Sequence, residues 1–293
     1  MLLSLPCISV IRKSAPHIHI TGRRDVVHFL KEAGIADEVS SADSLLYSSL
    51  YTESLDETLR SFLSFFSTAF VFTSHTESPL VINMRTVIPD TRPILTIPPE
   101  PGNEHTSEFR IKQCRSGADA EQRKITLCIR EEEKLWAAEF LKGKGYAAEH
   151  SLITLHPGSG GKNKCWPIEN YAALIRRFMK DSRIFCIVLA GPAEDAAFLS
   201  RHIACSGRVI LLHDESLMRV AALLSLSAFY LGNDSGISHL AGILGCRGVV
   251  LFGPTDPVVW RPQGNTLQVV RFMGLGTEAA PEIFARFASI ISL

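Results

Sequence analysis

The chain has 293 residues, 46% of them hydrophobic and 20% charged, which is enough to bury two ordinary cores and small for three. With 30 basic residues against 30 acidic ones, no net field draws the protein to nucleic acid or to an anionic membrane, so any phosphate binding must be local. The 7 cysteines form no CxxC pair, and Cys128 and Cys186 lie inside apolar strand-like runs, a pattern that fits buried thiols in a reducing cytoplasm better than disulfides or zinc ligands.

The opening stretch Met1 to Ile11 lacks the basic n-region of a signal peptide, since Arg12 and Lys13 come after it, and residues 2–14 read as an amphipathic helix. No apolar run approaches the ~18 residues of a membrane span, so a soluble protein is expected. His17 to Thr21 reads as a short strand closed by Gly22, Asp25 to Ala33 as a helix stopped at Gly34, and Ile35 to Val39 as the approach to another strand. A helix over Leu55 to Ser67, a strand over Ala69 to Thr73 and a helix over Pro79 to Val87 follow. The Pro-rich segment Pro89 to Pro101 reads as a surface connection, Glu104 to Cys114 as a helix, and Lys124 to Arg130 as a charged strand-like piece. A helix over Glu131 to Lys142 then runs into a linker, Gly143 to Ala148.

Beyond the linker the alternation is more regular. Strands are predicted at Leu152 to His156, Ile184 to Ala190, Val209 to Leu212, Phe229 to Leu231 and Gly248 to Phe252. Helices are predicted at Ile168 to Lys180, Glu194 to Ala204, Ser216 to Leu226 and Ile237 to Leu244. This rhythm predicts an α/β chain with doubly wound parallel sheets and ligands at the strand carboxyl ends. The expected division is a first domain over 1–145, a second over 151–277, and a carboxyl-terminal helix over 278–293. That helix is apolar at helical spacing and must pack on something, the first domain being one candidate.

Three loops at strand carboxyl ends carry candidate chemistry. His156-Pro-Gly-Ser-Gly-Gly-Lys-Asn-Lys-Cys-Trp-Pro167 combines glycines, which let backbone approach a ligand, with Lys162 and Lys164, either of which could neutralise phosphate. Taken alone, it could equally be a flexible surface loop with solvated lysines. The dinucleotide fingerprint, the Walker A loop and GxSxG all fail here, so Rossmann oxidoreductases, P-loop ATPases and serine hydrolases lose ground. Ala190-Gly-Pro-Ala-Glu-Asp195 offers Glu194 to ribose hydroxyls, the alternative being that Glu194 and Asp195 only favour the first turn of their helix. Asn233-Asp-Ser-Gly236 sits between a strand end and a helix start, where free N–H groups and the helix dipole favour an anion. His239 shares a helix face with Ser235, although a lone helical histidine is more often packed or solvent-facing than catalytic.

Together the segments His156-Pro-Gly-Ser with Lys164 and Trp166-Pro167, Gly191-Pro-Ala-Glu194, Gly232-Asn-Asp-Ser-Gly-Ile-Ser-His239 and Phe252-Gly-Pro-Thr255 resemble glycosyltransferase family 9, the ADP-heptose:lipopolysaccharide heptosyltransferases. Leu5-Pro6 and Pro16-His-Ile-His-Ile20 resemble the family more loosely. The resemblance implies a GT-B fold: two facing Rossmann-like domains, with the nucleotide sugar in the carboxyl-terminal one, the acceptor in the amino-terminal one, and no required metal or other cofactor. It implies that Ser159 and Lys164 contact the donor diphosphate and sugar, Glu194 the ribose, and Asp234, Ser235, Gly236 and His239 the phosphate and heptose. The adenine would lie near Leu212 and Met218. The reaction implied is an inverting transfer of heptose from ADP-heptose to the lipopolysaccharide inner core, by a monomer in the cytoplasm with peripheral contact at the inner face of the inner membrane.

Family members begin with an apolar strand and a loop ending in Gly-Asp, whose carboxylate is thought to deprotonate the acceptor, directly before the helix carrying Leu-Pro. Here Met1-Leu-Leu-Ser-Leu-Pro6 is already that helix, so the general base is expected before Met1. The strands at Ile18 and Val71 are then expected to have no bridging neighbour. A missing segment is the favoured reading, with a degenerate, noncatalytic nucleotide-sugar-binding protein as the rival; at most trace transfer is expected of the chain as written.

Overall fold

The computed structural model describes residues 2–99, 104–114, 125–203, 207–274 and 276–291. They divide into two compact units, Leu3–Ile125 and Thr126–Leu293.

The first unit runs α1 (Leu5–Arg12), β1 (His19–Gly22), α2 (Arg24–Glu32), β2 (Glu38–Ser41), α3 (Glu57–Leu63), β3 (Thr68–Thr73), α4 (Pro79–Arg85), β4 (Asp90–Leu95) and α5 (Thr106–Cys114). Pro6 and Pro79 sit in the first turns of α1 and α4, where a missing N–H costs nothing. Asp56 and Ser78 cap α3 and α4 through their side chains. β1 pairs in parallel with β2 and β3 in parallel with β4, as two separate two-stranded sheets. Among the described residues no strand joins β1 to β3. The first unit's strands are less covered than the central strands of the second unit: of the six residues of β3, only Val71 is buried.

β4 lies within the segment expected to be a connection. Pro93 removes one ladder donor, which β4 tolerates because, among the described residues, β3 is its only strand neighbour. The strand-like reading of Lys124 to Arg130 is not met: residues 125–130 have no regular structure and Lys124 lies outside the described residues. The cysteine reading also needs correction. Cys7 on α1 and Cys114 on α5 form a disulfide, their Cα atoms 6.4 Å apart, because α5 packs along α1 and brings the two together. Cys186 and Cys246 are buried free thiols as expected, whereas Cys128 is exposed. Cys205 lies outside the described residues.

The second unit begins with α6 (Glu131–Gly143), followed by β5 (Ser151–His156), α7 (Ile168–Phe178), β6 (Ile184–Ala190), α8 (Ala196–His202), β7 (Val209–His213), α9 (Leu217–Ser225), β8 (Phe229–Asn233), α10 (Gly236–Ile243), β9 (Gly248–Phe252), α11 (Pro257–Trp260), β10 (Leu267–Arg271) and α12 (Ala279–Ile291). The unit starts before residue 145 because α6 packs on α9: Arg219 lies 4.5 Å over the Trp136 ring and 3.4 Å from Glu133. The strands form one parallel six-stranded sheet in the order β10-β9-β8-β5-β6-β7. Every residue of β6, β8 and β9 is buried, which is why these strands are continuous apolar runs rather than alternating ones.

α12 joins this core. Ile283 and Phe287 are fully buried with Phe178 and Phe229, and the Phe287 ring centroid is 4.3 Å from that of Phe178. Burying one such ring contributes ~2–3 kcal/mol, so the helix is an integral layer of this unit. No helix among the described residues is long and apolar enough to cross a membrane.

Candidate functional site

In the second unit β5 is the first strand, and successive connections move outward from it to β6 and β7 before the chain crosses back to β8. The crevice at the carboxyl ends of β5 and β8 is therefore the topological switch point, where open parallel sheets bind ligands. The two loops flanking it are His156 to Pro167 and Asn233 to Gly236.

Side chains fasten these loops together. Asn233 is fully buried; its Nδ2 donates to the Pro157 carbonyl at 2.6 Å, and its Oδ1 accepts from the Trp166 N–H at 3.0 Å. It therefore clamps both ends of the Gly/Lys loop and is scaffold rather than part of an anion site. The Trp166 indole donates to the Gly276 carbonyl at 2.7 Å, anchoring the loop's far end. A Cβ at Gly276 would come within 2.5 Å of that indole, so the position requires glycine.

Ser159 donates to the Asp234 carbonyl at 2.6 Å, and Lys164 Nζ lies 3.0 Å from Asp234 Oδ2. Thr255, in the loop after β9, donates to the same Oδ2 at 2.8 Å. Asp234 is 6% exposed, so its carboxylate is held by a cation and a hydroxyl instead of water. Between the two candidate lysines the geometry chooses Lys164; Lys162 is exposed.

Ser235 caps α10, its Oγ accepting from the Ser238 N–H at 3.3 Å. His156 Nδ1 lies 3.1 Å from that Oγ, and Ser238 in turn meets Tyr230 Oη at 2.8 Å. Burial pushes the His156 pKa down to about 4, so the ring is neutral near pH 7. Gly236 at the start of α10 is exposed, and a Cβ there would meet nothing within 4 Å, so a ligand can approach this helix end. His239 sits one turn further on, half-buried.

At the end of β6, Glu194 folds back so that its Oε2 accepts from the Gly191 N–H at 2.6 Å. The rest of the carboxylate lies against Gly158, where a Cβ would be 2.2 Å from Oε1. Gly158 is thus what allows the second loop to touch the first. Asp195, the other acidic residue there, caps α8 through Phe198 N–H at 2.9 Å, so the helix-start reading belongs to Asp195 and leaves Glu194 for another role. Leu212, near the end of β7, and Met218, in the first turn of α9, are buried, at 9% and 1% exposure. The exposed side chains on that rim are His213 and Asp214, the latter left-handed with φ 57°.

Following the sheet order along the carboxyl rim, the side chains come as Thr255, then Asp234 and Ser235, then Ser159 and Lys164, then Glu194, then Leu212. A cation, hydroxyls and helix-start amides lie centrally, with a carboxylate on either side. Such a row suits an extended ligand with a doubly charged middle and hydroxyl-bearing groups at both ends. Thr255 and His156 are the two members that sequence reasoning did not single out as ligands or supports. Among the described residues no cluster of histidine, cysteine, aspartate or glutamate could hold a metal ion.

The family model of glycosyltransferase family 9 (heptosyltransferase) matches residues 104–283. Lipopolysaccharide heptosyltransferase 2 of Salmonella typhimurium is 28% identical over 151 residues, covering 48% of this chain and 41% of that protein; the alignment thus spans under half of the relative. The crystal structure of a family 9 glycosyl transferase from Veillonella parvula superposes with a TM-score of 0.79 at 19% identity, covering 99% of this chain and 93% of that one. The E. coli ADP-heptose lipopolysaccharide heptosyltransferase II superposes with a TM-score of 0.72 at 17% identity, covering 100% and 95%. This likeness shows the fold, which is GT-B.

Proposed function

This chain belongs to glycosyltransferase family 9, and we propose that its second unit binds ADP-heptose as donor for transfer to a lipopolysaccharide core acceptor. The observation that carries the reading is the meeting of Lys164, Asp234 and the open start of α10 at the switch point, with Glu194 one strand away. The diphosphate would lie between Lys164 and the Ser235 to Gly236 turn, the ribose at Glu194, the adenine beyond it toward Leu212 and Met218, and the sugar at Asp234 and His239. ADP as the nucleotide and heptose as the sugar are taken from the relatives.

Chemically, this arrangement stabilises a leaving group. As the bond from the anomeric carbon to the diphosphate lengthens, negative charge grows on ADP. Lys164 and the start of α10 would stabilise that growing charge. A resident metal is not needed for this step, and the protein would act as a monomer at the cytoplasmic face of the membrane. The inverting outcome follows if the acceptor oxygen attacks from the face opposite ADP.

The test is a thermal-shift panel of nucleotide sugars in EDTA. ADP-heptose should raise the melting temperature more than UDP- or GDP-sugars do. Equal shifts across the panel, or none, would reject the reading.

A further inference from the structure

We propose that Thr255 is a positioning residue for the donor sugar: it fixes the Asp234 carboxylate so that Oδ1 faces a sugar hydroxyl. The inference rests on the donor-site reading above and adds a residue to it.

Asp234 is pinned on nearly every side. Its N–H donates to the Leu251 carbonyl at 2.9 Å, and its own carbonyl accepts from Ser159 at 2.6 Å, so the backbone cannot shift. The carboxylate is the remaining freedom, because rotation about the terminal bond of an aspartate is soft. Two donors remove it, Lys164 at 3.0 Å and Thr255 at 2.8 Å, and both meet Oδ2. These two donors leave Oδ1 as the oxygen offered to a ligand. A carboxylate only accepts hydrogen bonds, so it cannot bond a deprotonated phosphate oxygen and calls for a donor such as a sugar hydroxyl.

The two anchors are not equivalent. Lys164 is a flexible cation whose side chain is 33% exposed, and a dianionic diphosphate entering beside it competes with Asp234 for its charge. Thr255 is a short β-branched side chain on a loop with little freedom. That loop turns toward Asp234 at Gly253, where a Cβ would come within 2.9 Å of the Phe272 ring. When the donor draws Lys164 away, Thr255 is the anchor that stays, and the Asp234 orientation then depends on it.

The position thus separates two ligands that share a nucleotide. With its ribose at Glu194, ADP engages Lys164 and the α10 start and places no hydroxyl at Oδ1, whereas ADP-heptose does. Calorimetric titration of Thr255→Val with each ligand provides the test. ADP-heptose should bind about tenfold more weakly, the size of one hydrogen bond to a charged group, and ADP within twofold of wild type. Thr255→Ser should restore ADP-heptose affinity to within twofold, which a purely structural role of the threonine methyl would not allow. Should Thr255→Val not fold, Thr255→Ala is read against Thr255→Ser in the same way. Equal weakening of both ligands, or of neither, overturns the role of Thr255 while leaving the donor site in place. Failure of the wild-type protein to bind ADP and ADP-heptose overturns the donor-site reading and this inference with it.

Discussion

Replacing Lys164 with alanine separates the two jobs the structure gives it. Its ammonium is the central cation of the rim, and it also neutralises Asp234, whose side chain is 6% exposed at 3.0 Å. Loss of one charge-assisted contact to the diphosphate should cost about 1.5–3 kcal/mol, or roughly 10- to 150-fold in ADP affinity. The same substitution leaves the Asp234 carboxylate with Thr255 as its side-chain donor, beside the path of an incoming dianion. Part of the loss is therefore repulsion from Asp234. Adding Asp234→Asn to Lys164→Ala should recover some ADP affinity, because a neutral amide does not repel phosphate. Calorimetry at low ionic strength measures both variants, since screening would mute the charge effects. Unchanged affinity in Lys164→Ala would remove Lys164 from the site, and a double variant no better than the single one would refute the electrostatic account.

Gly158→Ala would place a Cβ 2.2 Å from Glu194 Oε1, a flexible side-chain end, so the protein should fold while Glu194 is displaced. ADP affinity should then fall about as far as in Glu194→Gln, and a wild-type value would remove Glu194 from the ribose site. His156 contributes a pH dependence: with its pKa pushed down from 6.5 to about 4, it is neutral in both states above pH 6.5. As the pH falls from about 6.5 to about 4, only the unfolded chain takes up the proton, so stability drops by up to roughly 3 kcal/mol. The stability gap between wild type and His156→Gln should narrow over that window, and a constant gap in urea titrations would refute this. Reducing the Cys7–Cys114 disulfide, which spans 107 residues, should lower the stability of the first unit by at most about 5 kcal/mol. Cys7→Ser should then melt alike with and without reductant, and a reductant effect persisting in that variant would contradict the assignment.

The second unit was legible because burial on both faces makes β6, β8 and β9 unbroken apolar runs, which sequence patterning detects well. Two edge strands, β10 and β4, were not. β10 is buried only at Val270, and β4 carries Pro93, so neither shows the signal of an internal strand. Within the candidate site, Ser159, Lys164, Glu194, Asp234 and Ser235 were named from their motifs, and the fold brings their loops to one rim. The roles of Asn233, His156 and Thr255 were hidden because each depends on which loops meet. Asn233 clamps a loop about 70 residues earlier in the chain, with separations of 67 and 76 residues to its two partners. The Cys7–Cys114 pair was hidden for the same reason, since nothing local in the sequence reports that α5 lies along α1.

A crystal structure of the chain with ADP-heptose bound tests the central claim most directly. The account predicts a diphosphate oxygen about 3 Å from Lys164 Nζ at the start of α10, a ribose hydroxyl on Glu194, and a heptose hydroxyl on Asp234 Oδ1. A nucleotide bound away from the β5–β8 crevice, or lying in the reverse direction with its base at Asp234, would contradict it.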